Sequence, residues 1–431
     1  MAETCAAPAA GRSPASRRST RVLYLSYDGM CDNIGQSQVL PYLLGCADAG
    51  NRITLISFEK RARMAASGDG VRRRCADAAI NWRPQSFRTI PPVLSKVADM
   101  LAMRSAAERA VRSSSFDFVH ARSYPAASVG LRLKRRHGLP LLFDMRGFWP
   151  DQRREGGRWT DRSLLGRSLY KRWKAIEAEL LGQADHIIVL TAAARDLIAA
   201  SPAYLGAPIS IIPCAADFEL FRIASADERA AARAEIGIPQ DAPVLAYLGS
   251  LGTVYRLDAL LQLFAAARER IPGLILLFIG GGAADRILSE AASLGIALHP
   301  DEIRSVSAAR AEVPRYINAG DIGLCFCTPT FSSAGVSATK VGEYLACGLP
   351  IVGNSQIGDF DRIVDAIGSG ITLPDLSAAS IEEAAAAVPL LLDANREQVR
   401  EKARRFLDLG TAVEAYRHIY ENLRAPVTVE P

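Results

Sequence analysis

Residues 332–354 read Ser-Ser-Ala-Gly-Val-Ser-Ala-Thr-Lys-Val-Gly-Glu-Tyr-Leu-Ala-Cys-Gly-Leu-Pro-Ile-Val-Gly-Asn. The pattern predicts a short helix with Lys340 and Glu343 in its first turn, a stop at Gly348, and a buried strand opened by Pro350. A carboxylate at that point can take two hydrogen bonds from a ribose diol, while the helix N-terminus and Lys340 favour phosphate. Further back, Tyr247-Leu-Gly249-Ser250-Leu-Gly252-Thr253 closes an apolar run and leads into Tyr255-Arg256. A turn of small residues lets a diphosphate approach the backbone, and Arg256 could hold it bidentately. Gly280-Gly281-Gly282 ends the next apolar run in the same way, although three glycines after a strand also suit a plain turn.

The first half of the chain carries a different set. His120-Ala-Arg122-Ser123 ends one apolar run, and Asp144-Met-Arg146 ends another. Two residues apart on a strand, Asp144 and Arg146 point the same way and form one polar pair. Asp28-Gly-Met-Cys-Asp-Asn-Ile-Gly35-Gln36-Ser37-Gln38 follows the first run, with Ser37 placed as a helix N-cap and with backbone N–H groups suited to a phosphate or a sugar.

The elements that must position these residues come from an alternation of short apolar runs with helical patterns. The runs are Arg21–Ser26, Ile53–Phe58, Phe116–His120, Pro140–Asp144, His186–Leu190 and Ile209–Ile212. After Pro213 the alternation restarts at Val244–Gly249, Leu274–Gly280, Ile322–Cys325 and Pro350–Asn354. This is an α/β chain with two Rossmann-like doubly wound parallel sheets facing across a cleft. The expected division is a disordered leader at 1–20, an N-terminal domain at 21–213, a C-terminal domain at 214–410, and a closing helix with its tail at 411–431. Ligands of open parallel sheets sit beyond the carboxyl ends of the strands, which is where the residues above fall.

The 431 residues, 49% hydrophobic and 23% charged, are ordinary globular values and allow two to four domains. No run reaches the roughly 18 to 20 apolar residues of a spanning helix. The eight cysteines are scattered, without C-x-x-C spacing or a preceding apolar signal segment. They read as reduced thiols of a cytoplasmic protein. Charge is uneven: residues 1–215 carry a net +14 and residues 216–431 a net −9. A basic half can meet phosphates, nucleic acid or an anionic membrane. Arg61, Arg63, Arg72, Arg73, Arg74 and the run Arg132 to Arg136 suggest an anionic membrane surface as a partner, with the apolar segment Pro91–Met103 beside them. A core-packing helix is the slightly stronger reading of that segment.

Taken together, these residues resemble the retaining glycosyltransferases of family four, the glycosyl transferases group one, which have the GT-B fold. The resemblance runs from Arg21 to about Arg424. It is carried by Leu25-Ser-Tyr-Asp-Gly29 with Gly35-Gln-Ser-Gln38, His120-Ala-Arg-Ser123, Phe143-Asp-Met-Arg-Gly-Phe-Trp149, Ile212-Pro213, Tyr247 to Gly252 and, most specifically, Thr339 to Pro350. It implies transfer of a sugar from a nucleotide-diphosphate donor on the C-terminal domain to a glycan or lipid-linked acceptor on the N-terminal domain. The anomeric configuration is retained, with no metal or other cofactor and no nucleic-acid partner. It also implies a closing helix packed back on the N-terminal domain.

By the resemblance, Glu343 corresponds to the second glutamate of the family's E-x7-E motif, and Gly335 stands where the first would be. Ser250 and Arg256 fall in the loop that carries a cationic pair in many members, and Arg122 stands where many have histidine. The implied catalytic set is Arg256, Lys340, His120, Asp144 and Arg146. The donor set is Gly249, Ser250, Gly252, Gly280, Thr339 and Glu343, and the acceptor or phosphate loop holds Gly35, Gln36 and Arg122. Polysaccharide or cell-envelope glycan synthesis on the inner face of the membrane is the expected setting. A sugar-nucleotide 2-epimerase of the same fold and a non-catalytic binding protein are the alternatives.

Overall fold

The structure is a computed structural model that describes residues 19–249, 254–280 and 284–424. Residues 1–18 of the expected leader, Ser250, Gly252, Gly281, Gly282 and the tail beyond Arg424 lie outside the described residues.

The first sheet contains β1 (Arg21–Ser26), β2 (Arg52–Glu59), β3 (Asn81–Ser86), β4 (Phe118–Arg122), β5 (Leu141–Asp144), β6 (His186–Val189) and β7 (Ile209–Ile211). The second contains β8 (Val244–Leu248), β9 (Ile275–Ile279), β10 (Ile303–Val306), β11 (Ile322–Cys325), β12 (Ile351–Asn354) and β13 (Gly370–Leu373). All pairings between these strands are parallel, in the orders β3-β2-β1-β4-β5-β6-β7 and β10-β9-β8-β11-β12-β13. Each order reverses once, at β1/β4 and at β8/β11, and leaves a crevice beyond the strand ends there. The two-domain α/β architecture is therefore the one expected.

Central strands are legible as apolar runs because helices cover both faces of a parallel sheet. β4 lies two residues later than expected, and β3, β10 and β13 have no counterpart among the expected strands. All three are edge strands, only partly buried, and β3 contains Pro84. An edge strand needs no continuous apolar run and tolerates proline.

The helix expected from Ser37 is two helices, Asn33–Gln38 and Leu40–Asp48. Ser37 is not an N-cap: its hydroxyl donates to the Asn33 carbonyl one turn back, at 2.8 Å. Pro41, near the start of the second helix, costs nothing there because the first N–H groups of a helix have no partner within it.

The final helix, Leu409–Leu423, leaves the second domain and packs on Leu40–Asp48 of the first. Val413 closes over Gly45, where an added Cβ would come within 2.7 Å of it. Tyr416, Ile419 and Tyr420 are buried with Val22, Tyr24, Phe118, Leu142 and Ile188 of the first sheet. Burial of each such side chain contributes about 1.5–3 kcal/mol, so this helix ties the two domains together. Among the described residues, no helix is long and apolar enough to cross a membrane.

Candidate active site

Strand register assembles the first half of the site. Ser26 of β1 pairs with Arg122 of β4, and Arg122 pairs with Asp144 of β5, so the three form a row at the carboxyl edge. Alternation places His120, Arg122 and Asp144 on the face shared with Phe118 and Leu142, the face that the final helix covers. Arg146 comes to Asp144 by another route than strand alternation. β5 ends at Asp144, Arg146 has φ of 58° and Gly147 a φ of 106°. This left-handed turn brings Arg146 Nη1 back to 3.8 Å from Asp144 Oδ1. A left-handed conformation at a non-glycine residue costs roughly 1–3 kcal/mol, which the surrounding contacts must offset.

The cluster is buried and partly unsatisfied. His120 Nδ1 is 2.8 Å from the Tyr420 hydroxyl, while its Nε2 stands 3.6 Å from Asp144 Oδ2, too far for a hydrogen bond. Tyr416 donates to the same Asp144 oxygen at 3.3 Å. Gln38 Oε1 accepts from Arg122 at 2.9 Å and from Arg146 at 3.1 Å. Among the described residues, His120 Nε2, Arg122 Nη1, Asp144 Oδ1 and Arg146 Nε and Nη1 have no hydrogen-bond partner. Burial pushes the His120 pKa down and outweighs Asp144, so the imidazole stays neutral at neutral pH. Burial pushes the Asp144 carboxyl up, but Arg146, His120 and Arg122 together hold it below its usual range.

The second half lies at the carboxyl ends of β8, β9 and β11. Gly249 has φ of +116° and Gly280 of +137°, and a Cβ on Gly280 would come within 3.0 Å of the Gly249 carbonyl oxygen. The two strand ends therefore meet backbone to backbone. Lys340, in the helix Thr339–Ala346, projects under them: a Cβ at Gly249 would lie 3.5 Å from its Nζ. This ammonium is buried and has no hydrogen-bond partner among the described residues. It sits 4.0 Å from the ring centre of Tyr247 and 3.6 Å from that of Tyr255. Burial lowers its pKa to about 8, against the opposing pull of Cys325, Cys327 and Glu343. Glu343, three residues on and buried, is held by Arg310, which stacks on Phe221.

Gln38 connects the halves, since its amide nitrogen donates to Thr339 Oγ1 at 2.9 Å, beside Lys340. Gly335, at the position of the absent first glutamate, meets the other domain: its Cβ would stand 2.9 Å from Gly147 Cα. No side chain fits between these backbones. Ser337 accepts from the Cys214 N–H at 3.0 Å.

Other expected residues stand elsewhere. Gly35 packs against Gly29 and Met30, and Gln36 bonds the Met30 carbonyl and Arg74. The N–H groups of Met30 and Cys31, part of the loop read as a phosphate or sugar cradle, are taken by the buried carboxylate of Glu59 at 2.8 and 3.0 Å. Arg256 is bonded twice over to Asp258. Gln38, Tyr416, Tyr420, Tyr255 and Arg310 are additions to the expected site residues. Gln38 lies in the stretch after the first strand already singled out, at the end of the helix Asn33–Gln38, and Tyr416 and Tyr420 show an i, i+4 spacing that puts both on one helix face.

A cavity of about 1800 Å³ opens from the cluster along the first domain, floored by Trp149, Trp159 and Trp173 and reached by Gln38, Arg122 and Arg146. Among the described residues, no group of three or more His, Cys, Asp and Glu side chains is placed to hold a metal ion.

Comparison with known proteins agrees with the two-domain fold. Residues 36–215 match the family described as Glycosyl transferase 4-like domain, and residues 228–406 match Glycosyl transferases group 1. The D-inositol 3-phosphate glycosyltransferase of Saccharomonospora viridis is 27% identical over 307 residues, covering 68% of this chain and 67% of the relative. D-inositol 3-phosphate glycosyltransferase 2 of Catenulispora acidiphila is 28% identical over 334 residues, 72% of each. Among solved structures, the sucrose-phosphate synthase of Thermosynechococcus elongatus superposes with a TM-score of 0.67 at 15% identity, over 94% of this chain and 99% of that one. HepE of Anabaena, in complex with UDP and glucose, gives 0.67 at 12% identity, over 93% and 99%. With two consecutive family matches spanning most of its length and two facing Rossmann-like domains, the chain belongs to the group 1 glycosyltransferases, family four, of GT-B fold.

Proposed function

We propose that this glycosyltransferase moves a sugar from a nucleoside-diphosphate sugar on its C-terminal domain to an anionic acceptor in the N-terminal cavity, with retention of anomeric configuration. The observation that carries the reading is Lys340, a buried ammonium beneath the Gly249 backbone and without a hydrogen-bond partner among the described residues. Negative charge on the leaving diphosphate grows as the bond to C1 breaks, so a preorganised cation there favours the transition state over the ground state. The diphosphate leaves with the bonding pair. The acceptor oxygen bonds to C1 from the same face, and its proton passes to a departing phosphate oxygen. Glu343, held ready by Arg310, takes the donor ribose. HepE, of like fold, has been solved with UDP and glucose, which supports a nucleotide-sugar donor.

Arg122 and Arg146, with unsatisfied N–H groups at the inner end of the cavity, meet the anionic part of the acceptor, and the tryptophan faces suit its sugar. The curated relatives named for D-inositol 3-phosphate support a phosphorylated acceptor. Lys340 carries the charge of the leaving group in a metal-independent reaction, so excess chelator is expected to leave turnover unchanged. The seven described cysteines, all free and buried, support a reducing compartment, and glycan assembly on the cytoplasmic side is the setting we infer. The test is turnover of a nucleotide-sugar panel, with the product configuration read by NMR. A retained configuration is expected. An inverted product overturns the mechanism, and epimerised donor without transfer overturns the transferase reading.

A further inference from the structure

The Gln38 side chain is used at both of its ends. Its carbonyl oxygen lies between two guanidiniums and accepts from Arg122 Nη2 at 2.9 Å and from Arg146 Nη2 at 3.1 Å. Its amide nitrogen donates to Thr339 Oγ1 at 2.9 Å, across the seam between the domains. A side-chain carbonyl has two lone pairs, and both are taken. The two guanidiniums also fix which end is oxygen, because a guanidinium cannot accept. Their remaining edges are turned elsewhere. Arg122 Nε bonds Asp28 at 3.2 Å, the Nη1 atoms of Arg122 and Arg146 face Asp144 at 3.6 and 3.8 Å, and Arg146 Nη2 also reaches Cys214 Sγ at 3.2 Å. The two arginine side chains are 4% and 7% exposed, whereas Gln38 is half-buried and lines the large cavity with them.

Each end of this neutral amide holds a group that a charged ligand holds better. An anion binds a guanidinium more strongly than an amide carbonyl does, since both partners are then ionised. Thr339 opens the helix that carries Lys340, so its hydroxyl stands at the phosphate end of the donor site. The amide is a rigid plane. A ligand that drives its oxygen from between the guanidiniums therefore moves its nitrogen away from Thr339 as well, and the reverse holds for a ligand that takes the Thr339 hydroxyl.

We propose that Gln38 is a latch that competes with both substrates at once. Its carbonyl competes with the acceptor's anionic group for Arg122 and Arg146, and its amide nitrogen competes with the donor diphosphate for the Thr339 hydroxyl. Whichever ligand binds first opens the latch, and the second then binds without that cost. Donor and acceptor are thereby linked with positive cooperativity through one positioning residue, and the linkage is reciprocal. The inference rests on the transferase reading, because it needs a diphosphate beside Lys340 and an anion in the cavity.

The test is calorimetric titration of the full chain with UDP, GDP, ADP and dTDP, with and without saturating inorganic phosphate as the acceptor-site anion. For whichever nucleotide binds, phosphate is expected to tighten the wild-type affinity by about fivefold or more. Gln38→Ala is expected to bind that nucleotide about fivefold or more tighter than wild type in the absence of phosphate, and to gain nothing from its addition. Thr339→Val keeps the carbonyl between the guanidiniums but cuts the link, so phosphate is expected to leave its nucleotide affinity unchanged. Thr191→Val removes a different contact across the seam, from the Thr191 hydroxyl to the Ala334 carbonyl at 2.6 Å. It is expected to keep the wild-type response, which separates the latch from a general loosening of the domains. A Gln38→Ala affinity no tighter than wild type, a phosphate effect equal in the two proteins, or loss of that effect in Thr191→Val would each overturn the proposal and leave the donor site standing. Failure of all four nucleotides to bind would overturn the donor reading, and this inference with it.

Discussion

A buried ammonium opposes folding when it lacks a hydrogen-bond acceptor, as Lys340 does among the described residues, and it shows what such a group costs and what it supplies. Its pKa of about 8 lies below the ordinary value of 10.5, so the unfolded chain binds more protons between those two values. Stability contributed by this group therefore rises as pH climbs from about 8 to 10.5, and the full penalty is present below 8. The shift corresponds to about 3 kcal/mol at most, part of which the Tyr247 and Tyr255 faces return. Lys340→Met is thus expected to be more stable than wild type at pH 7 in denaturant melts, with the difference closing by pH 10.5. The same variant should lose about 10²-fold or more in turnover, the scale of a single electrostatic contact in a water-poor site. A variant that is no more stable at pH 7, or that turns over normally, would separate Lys340 from the role assigned to it.

His120 behaves in the same sense at lower pH. Burial holds its folded pKa below the unfolded value, so its contribution to stability is present above the unfolded pKa and is lost as pH falls through the folded one. His120→Gln should flatten the acid limb of the stability profile.

At the scale of elements, the final helix acts as a strap that completes the site from outside its own sheet. Tyr420 reaches His120 and Tyr416 reaches Asp144, so a segment some 300 residues away in sequence fixes the orientation of the imidazole. Tyr420→Phe leaves a buried ring nitrogen unpaired and should cost about 1–3 kcal/mol, read as a lower urea midpoint with an unchanged slope. The segment Phe331–Gly335 plays the complementary part from the second domain. Ala334 accepts from the Thr191 hydroxyl at 2.6 Å, and Gly335 lies against Gly147. Gly335→Glu would restore the family's motif in sequence, yet it places a side chain where two backbones touch. The expected outcome is lower stability by about 1–3 kcal/mol with no gain in turnover. A fully stable and more active variant would mean that the contact does not form in solution.

For the whole molecule, the seam between domains is made of short-range polar contacts as well as apolar ones. The Asp359 carboxylate accepts from the N–H of Ala192 at 2.7 Å, at the start of the helix Ala192–Ala199. A carboxylate at a helix N-terminus contributes roughly 0.3–1 kcal/mol or more when partly buried. Asp359→Ala should therefore loosen the closed arrangement. Small-angle scattering is expected to show a larger radius of gyration for the variant, and an unchanged radius would leave closure to the other contacts.

The central strands, the restart after Pro213 and the short helix bearing Lys340 and Glu343 were legible in the chain, because buried parallel strands must be continuously apolar and a helix stop at Gly348 is a local event. Three of the four edge strands, β3, β10 and β13, escaped, since one neighbour and partial solvent exposure relax that requirement. Lys340 was visible as a cation near a helix start, but its isolation beneath Gly249 and its contact with two tyrosine rings depend on β8, β9 and β11 converging. The pairing of His120 with Tyr420 and the capture of the Met30 and Cys31 N–H groups by Glu59 had no local signature. Each depends on which element packs across from the residue in question. Sequence determined the elements and the residue types at their ends, because periodicity and turn chemistry are properties of neighbours along the chain. Tertiary structure alone decided which of those residues are buried, paired or left with unmet charge, because those properties belong to neighbours in space.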